Sequence, residues 1–139
     1  MRCSTNVFSQ AETGKLASRS QEGIIEMFHI HEKDCEYRFG DSGPKYFMRG
    51  PRSGAGQARL KPGEDFGNHY HEDMEENFFV LKGKVEFVVD GVSHIGETGD
   101  FYSMQPKESH YLRNVGDDEA VVAFFLSPFV DGDKVNAAL

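Results

Sequence analysis

Residues 63–83 read GEDFGNHYHEDMEENFFVLKG, and the pattern of this stretch decides what the chain can be. His69 and His71 flank Tyr70. Alternate side chains of a β-strand share a face, so both imidazoles project to one side while Tyr70 projects to the other. One short strand thereby offers two nitrogen ligands to a single ion. Glu76 follows and opens the apolar run 77–81, where alternation sets it on one side with Phe78 and Val80. A carboxylate on an apolar face needs a partner. Further along, residues 99–114 read GDFYSMQPKESHYLRN and contain His110, the only histidine after position 94 and the natural fourth ligand.

The two stretches together resemble the motifs of the cupin superfamily. The first, G-x5-H-x-H-x(3,4)-E-x6-G, is met without a gap by Gly63, His69, His71, Glu76 and Gly83. The second, G-x5-P-x-G-x2-H-x3-N, is met by Gly99, His110 and Asn114; Gln105 takes its proline position, Pro106 follows, and Lys107 stands where the motif has glycine. The resemblance covers roughly residues 55–127. It implies a jelly-roll barrel, that is, a double-stranded β-helix, with His69, His71, Glu76 and His110 as metal ligands. Glu75 competes for the carboxylate role, but counting six residues back from Gly83 favours Glu76 and leaves Glu72, Asp73 and Glu75 as a solvated acidic turn.

The rest of the chain fits an all-β domain. Its 139 residues suit a single hydrophobic core. The expected division is an N-terminal arm or loop over 1–22 and one barrel domain over 23–139. Twelve phenylalanines, five tyrosines and fifteen glycines suit short aromatic-rich strands joined by tight turns. The first apolar stretches are 24–30 and 46–48, separated by the turn cluster 40–44, and a strand is expected over 57–61. Residues 84–90 alternate, with Val85, Phe87 and Val89 on one face, and Asp90-Gly91 predicts a two-residue hairpin into 92–95. Residues 120–126 form a continuous apolar run, as in a strand buried on both faces, and the tail from 131 is expected to be a short helix or loose. No sustained 3.6-residue period appears, so short strands argue for a sandwich or barrel.

Charge and cysteine usage narrow the partners. With 15 basic against 23 acidic residues the net charge is −8, which repels phosphate backbones and anionic membranes. Nucleic acid and membrane partners are therefore not expected. Cys3 and Cys35 lack CxxC spacing and predict free thiols in a reducing compartment. Without a leader pattern or an apolar run near twenty residues, a cytoplasmic location is expected. The resemblance adds a homodimer, since many family members pair their barrels.

Three imidazoles and a carboxylate suit one divalent transition ion, Zn²⁺, Mn²⁺, Fe²⁺, Co²⁺, Ni²⁺ or Cu²⁺, rather than Mg²⁺ or Ca²⁺. An ion accepting five or six ligands keeps positions open for substrate, whereas a closed four-coordinate site would only staple the barrel. The pair His29 and His31, followed by Glu32, shares the strand-face geometry but lacks the glutamate and glycine spacing that follows His71, so it reads as a polar strand face or a subunit contact; His94 reads as surface. Asn114 reads as a structural residue ending a strand. Between positions 45 and 61 lie Lys45, Arg49, Arg52, Arg59 and Lys61 without an acidic residue, a local charge that attracts anions. Arg59 either faces the barrel, where it could clamp a carboxylate or phosphate, or lies on a solvated face. Tyr46, Tyr102 and Arg49 are further candidates for pocket walls or proton transfer. The leading functional expectation is a metalloenzyme performing isomerisation, epimerisation or elimination on a polar, anionic sugar- or carbonyl-type metabolite, with apolar walls from Phe78, Val80 and Phe87. An Fe²⁺-dependent dioxygenase and a non-catalytic binding or sensor module are the alternatives.

Overall fold

A computed structural model describes residues 27–138. A single turn of 3₁₀ helix, Glu32–Asp34, precedes ten strands: β1 Gly43–Arg49, β2 Gly54–Leu60, β3 His69–His71, β4 Glu75–Lys82, β5 Lys84–Val89, β6 Val92–Glu97, β7 Phe101–Met104, β8 His110–Asn114, β9 Ala120–Ser127 and β10 Lys134–Asn136. They form two five-stranded antiparallel sheets, ordered β1-β2-β9-β4-β7 and β10-β3-β8-β5-β6. These sheets pack face to face as the jelly-roll sandwich that the strand spacing and glycine turns predict. Among the described residues, no helix is long and apolar enough to cross a membrane.

Period-two burial builds the core. In β2 the inward positions are Gly54, Gly56, Ala58 and Leu60, and in β9 they are Ala120, Val122, Phe124 and Leu126. Phe78 of one sheet meets Phe87 of the other with ring centroids 5.6 Å apart. Phe87 is fully buried, and truncating such a ring to alanine costs about 3–5 kcal/mol. The Asp90-Gly91 hairpin forms as its sequence predicts, with φ of +45° and +80° at the two turn residues. Gly83, between β4 and β5, lies at φ +87°, and a Cβ there would sit 2.9 Å from the Ala120 Cα, so both conformation and space demand glycine.

Several expectations change. Strand β9 is not buried on both faces: Phe125 is 45% exposed on the outer side, where Phe79 and Phe101 also stand and pair across β4 and β7. The run 120–126 is apolar because β9 is central in its sheet, not because two layers cover it. The tail is neither helical nor loose, since β10 pairs with β3. Residues 27–30 form no strand, and Met27 and Phe28 are exposed; residues 24–26, the arm 1–22 and Cys3 lie outside the described residues, while Cys35 is buried.

Candidate metal centre

Strand β3 turns His69 and His71 into the sandwich and leaves Tyr70 half-buried on the other side, as alternation requires. Strand β8 brings His110 beside them, with His69 and His110 directly paired across the strands. Glu76 arrives from β4, in the opposing sheet, on the face it shares with Phe78 and Val80. All four side chains are buried, and one ligand atom from each lies within 4.8 Å of the others. Glu76 Oε2 stands 2.9 Å from His110 Nε2, 3.1 Å from His71 Nε2 and 3.5 Å from His69 Nε2. Glu75 points to the other face and accepts a hydrogen bond from the Asn77 side chain, so Glu76 alone takes the carboxylate position.

The outer ring nitrogens show why this cluster suits a cation. His69 Nδ1 lies 3.1 Å from the Gly67 carbonyl and His110 Nδ1 lies 2.9 Å from the Glu108 carbonyl. A carbonyl only accepts, so each Nδ1 carries the hydrogen and each Nε2 of a neutral ring presents a lone pair. These lone pairs then converge on a carboxylate oxygen that also only accepts. Acceptors at such distances require a cation among them or additional protons. Burial pushes the Glu76 carboxyl up, but the neighbouring His110, His69 and His71 outweigh it and hold the carboxyl well below its usual range. Burial pushes His69 down, against the pull of Glu76, toward the neutral imidazole that a metal needs. A charged carboxylate among neutral imidazoles is the donor set of a divalent transition ion.

The third imidazole is held differently. His71 Nδ1 is buried without a hydrogen-bond partner among the described residues and faces Asp133 Oδ2 at 3.8 Å. Asp133 accepts from the backbone N–H groups of Asp73 at 3.1 Å and Met74 at 2.9 Å. The loop below is fixed by the Lys107 N–H, which donates to the His71 carbonyl at 2.7 Å. Lys107 lies at φ +72°, so it adopts the left-handed conformation natural to the glycine of the motif.

The cluster opens into a cavity of about 490 Å³. Phe66, Phe78, Phe124, Phe129, Leu112 and Leu126 supply its apolar wall, and Tyr46, Arg38, Arg49 and Lys134 also line it. Of the expected pocket residues, Tyr46 and Arg49 are therefore in place. Tyr46 packs edge-on against Phe124 with centroids 5.1 Å apart; burial and the charge of Glu76 push its phenol pKa up. Arg59 is not in the cavity. Ala58 and Leu60 face the core, so Arg59 takes the outer face, over the Tyr37 ring and 3.5 Å from Glu119. Tyr102 also lies outside, stacked on Phe87 and donating its hydroxyl to the Ile95 carbonyl. Val80 and Phe87 belong to the core and not to the cavity wall.

The basic run 45–61 is largely neutralised by carboxylates from distant parts of the chain. Lys45 pairs with Glu32, Arg49 with Asp131, Arg59 with Glu119 and Lys61 with Asp41. His31 accepts the Lys33 N–H at the start of the 3₁₀ turn, while His29 and His94 are exposed. Asn114 is structural: its amide donates to the carbonyls of Leu60 and Asp118 and its oxygen accepts the Gly116 N–H. Sequence reasoning missed Arg38, Asp133, Lys134 and Asn136. The only hint of the last three was a Gly132-Asp133 turn before a short alternating segment.

Comparison with known proteins agrees with this architecture. The chain is 38% identical over 73 residues to the polyketide synthase CurC of Streptomyces cyaneus, covering 52% of this chain and 47% of that protein. It is 39% identical over 73 residues to the protein SchB of Streptomyces halstedii, covering 52% and 53%. The chain thus spans about half the length of these curated relatives. A Klebsiella pneumoniae protein with a double-stranded β-helix domain superposes with a TM-score of 0.70 at 17% identity, over 82% of this chain and all of that one. The cupin domain family model matches residues 56–127, a span that holds all four clustered side chains, and the chain belongs to the cupin family.

Proposed function

We propose that this protein is a metal-dependent enzyme that moves a proton on a small carbonyl-type compound, giving isomerisation, epimerisation or elimination. The observation that carries this reading is the convergence of His69, His71, Glu76 and His110 at an aromatic-walled cavity. A divalent transition ion bound by these four residues supplies Lewis-acid polarisation of a substrate oxygen. Phe66, Phe78, Phe124 and Phe129 exclude water and strengthen every electrostatic contact inside. Tyr46 lines the cavity beside Arg38 with its phenol pKa pushed further up, so it is protonated at neutral pH and its hydroxyl is the proton donor of this reading. A titratable group beyond the four ligands favours catalysis over simple binding.

The cavity wall bears on the substrate. Phenylalanine and leucine side chains form one part of the wall and offer a substrate no polar partner, while Tyr46, Arg38, Lys134 and Asn136 supply polar groups to the rest. A carbon skeleton with a carbonyl suits the apolar part of this wall, in keeping with the name polyketide synthase carried by one relative. The same ligand set accommodates Fe²⁺, so a dioxygenase is the second reading.

Elemental analysis of protein purified without added metal tests the proposal, with His69→Ala/His71→Ala as control. One equivalent of a transition ion in the wild type, lost in the variant, supports it. Deuterium uptake from D₂O into a bound ketone then marks proton transfer, while iron with substrate-dependent oxygen uptake moves the assignment to the dioxygenase. A chain that neither carries nor takes up an ion refutes both. A homodimer is proposed as well, supported by the exposed outer row of Phe79, Phe101 and Phe125; sedimentation giving a monomer would refute it.

A further inference from the structure

Strand β10 completes the site in a way the motifs do not record. Its register on β3 sets Lys134 opposite His71, Val135 opposite Tyr70 and Asn136 opposite His69. Directly opposed residues share a face, with Cβ atoms about 5 Å apart, so Lys134 and Asn136 extend the face that carries the two imidazoles. Both line the cavity, as does Arg38. Arg38 and Lys134 are exposed, and among the described residues neither forms an ion pair. Arg49, the other cavity cation, is already paired with Asp131 at 2.6 Å. The carboxylates of the lining do not answer these charges: Glu76 is enclosed by imidazoles, Asp133 is held by backbone N–H groups, and Asp65 is exposed. Partial desolvation lowers the Lys134 pKa, with Glu76 acting against this shift and Arg38 adding to it, which sets the three groups in one electrostatic neighbourhood.

We infer that Arg38 and Lys134 form an anion subsite at the cavity, and that the substrate is a compound with an apolar body that also carries a carboxylate. This deepens the reading of the preceding subsection and rests on it. A chain of net charge −8 repels anions at long range, whereas Lys134 and Arg38, which has the Tyr46 hydroxyl but no carboxylate paired with it, place positive charge at the cavity. Between them, a guanidinium and an ammonium supply charge-assisted donors that hold a carboxylate more strongly than a neutral amide.

The test uses the full chain loaded with Zn²⁺ and two probes of equal shape, 3-phenylpropionate and 3-phenylpropionamide, titrated calorimetrically at low salt. The expected result is a carboxylate affinity at least about tenfold above that of the amide. That ratio falls toward one in Arg38→Met/Lys134→Met, whose zinc stoichiometry stays at the wild-type value. Both substitutions lie at exposed positions and keep the aliphatic stem, so folding is checked simply by the unchanged zinc content. A wild type without preference, or one that binds neither probe, overturns the inference. So does a preference that survives in the double variant, because the carboxylate is then held elsewhere, and its loss on chelation would locate it on the metal. If the protein takes up no zinc, the metal reading fails, yet the preference measured on that same protein still decides the subsite.

Discussion

Asp133→Ala separates a loop tie from a support of the metal site. The carboxylate accepts the Asp73 and Met74 N–H groups and faces the otherwise unpartnered His71 Nδ1 at 3.8 Å. Removing it strands two amides, at least one of them buried, and at about 1–2 kcal/mol each the fold loses about 2–4 kcal/mol. It also removes the carboxylate whose charge, 3.8 Å from Nδ1, favours the Nδ1–H form of His71, the form that turns the Nε2 lone pair toward the ion. Loss of such an outer partner weakens metal binding by about 10- to 100-fold, or about 1.4–2.8 kcal/mol. Asp133→Asn keeps an oxygen for the Met74 N–H and for His71, so it should hold most of the stability and lose no more than about tenfold in affinity. The assay is Zn²⁺ competition against a chromophoric chelator, with urea unfolding of the chelated proteins in parallel. If Asp133→Ala lowers stability as expected but leaves zinc affinity within about threefold of wild type, the carboxylate only ties the loop and the reasoning about His71 is wrong.

His110→Ala should abolish stoichiometric metal uptake while His29→Ala leaves it unchanged, as measured by elemental analysis; equal losses would refute the ligand assignment. Asn114→Ala should cost about 3 kcal/mol in urea unfolding, because three hydrogen bonds at a 1% exposed side chain are lost together; a cost under about 1 kcal/mol would show that the Asn114 side chain is dispensable. The metal-free protein should weaken as pH falls. His69 has a folded pKa below its ordinary 6.5, so beneath that pH the unfolded chain takes up a proton that the fold refuses. Glu76 has a folded pKa below its ordinary 4.5, so its contribution is present above that value and is lost as pH falls toward the folded one. Urea midpoints of chelated protein that stay flat from pH 7 to pH 4 would contradict the sign for His69, and midpoints that stay flat as the pH is taken on below 4 would contradict the sign for Glu76.

Three of the four clustered side chains were legible because they obey two rules that act within a few positions: strand alternation for His69 and His71, and the Glu76 spacing before a glycine turn; His110, 34 positions beyond Glu76, was legible only through the second motif. The β5–β6 hairpin was legible for the same reason, since Asp90-Gly91 encodes its turn locally. Arg59 was not. Gln57 and Arg59 mark one face of β2 as polar and Ala58 and Leu60 the other as apolar, but a barrel that takes an anion can turn either face inward, and only packing decides. The charge of the basic run misled because its partners are remote; Arg49 meets Asp131 across 82 positions. Strand β10 was illegible on length, as three residues cannot display a period. Its role is settled by pairing with β3, and with it the placement of Lys134.

Strand β3 meets β8 through a single residue pair, His69 with His110, while β10 meets β3 through three. The β10–β3 ribbon is thus joined to its sheet by that pair and by the Lys107 N–H on the His71 carbonyl, and an ion held by His69, His71, His110 and Glu76 would rivet that seam and the opposite sheet at once. Exchange of the ion is then expected to be gated by the hinge-like opening of this ribbon, so that the dissociation rate follows mild denaturant and temperature more steeply than it follows the identity of the competing chelator.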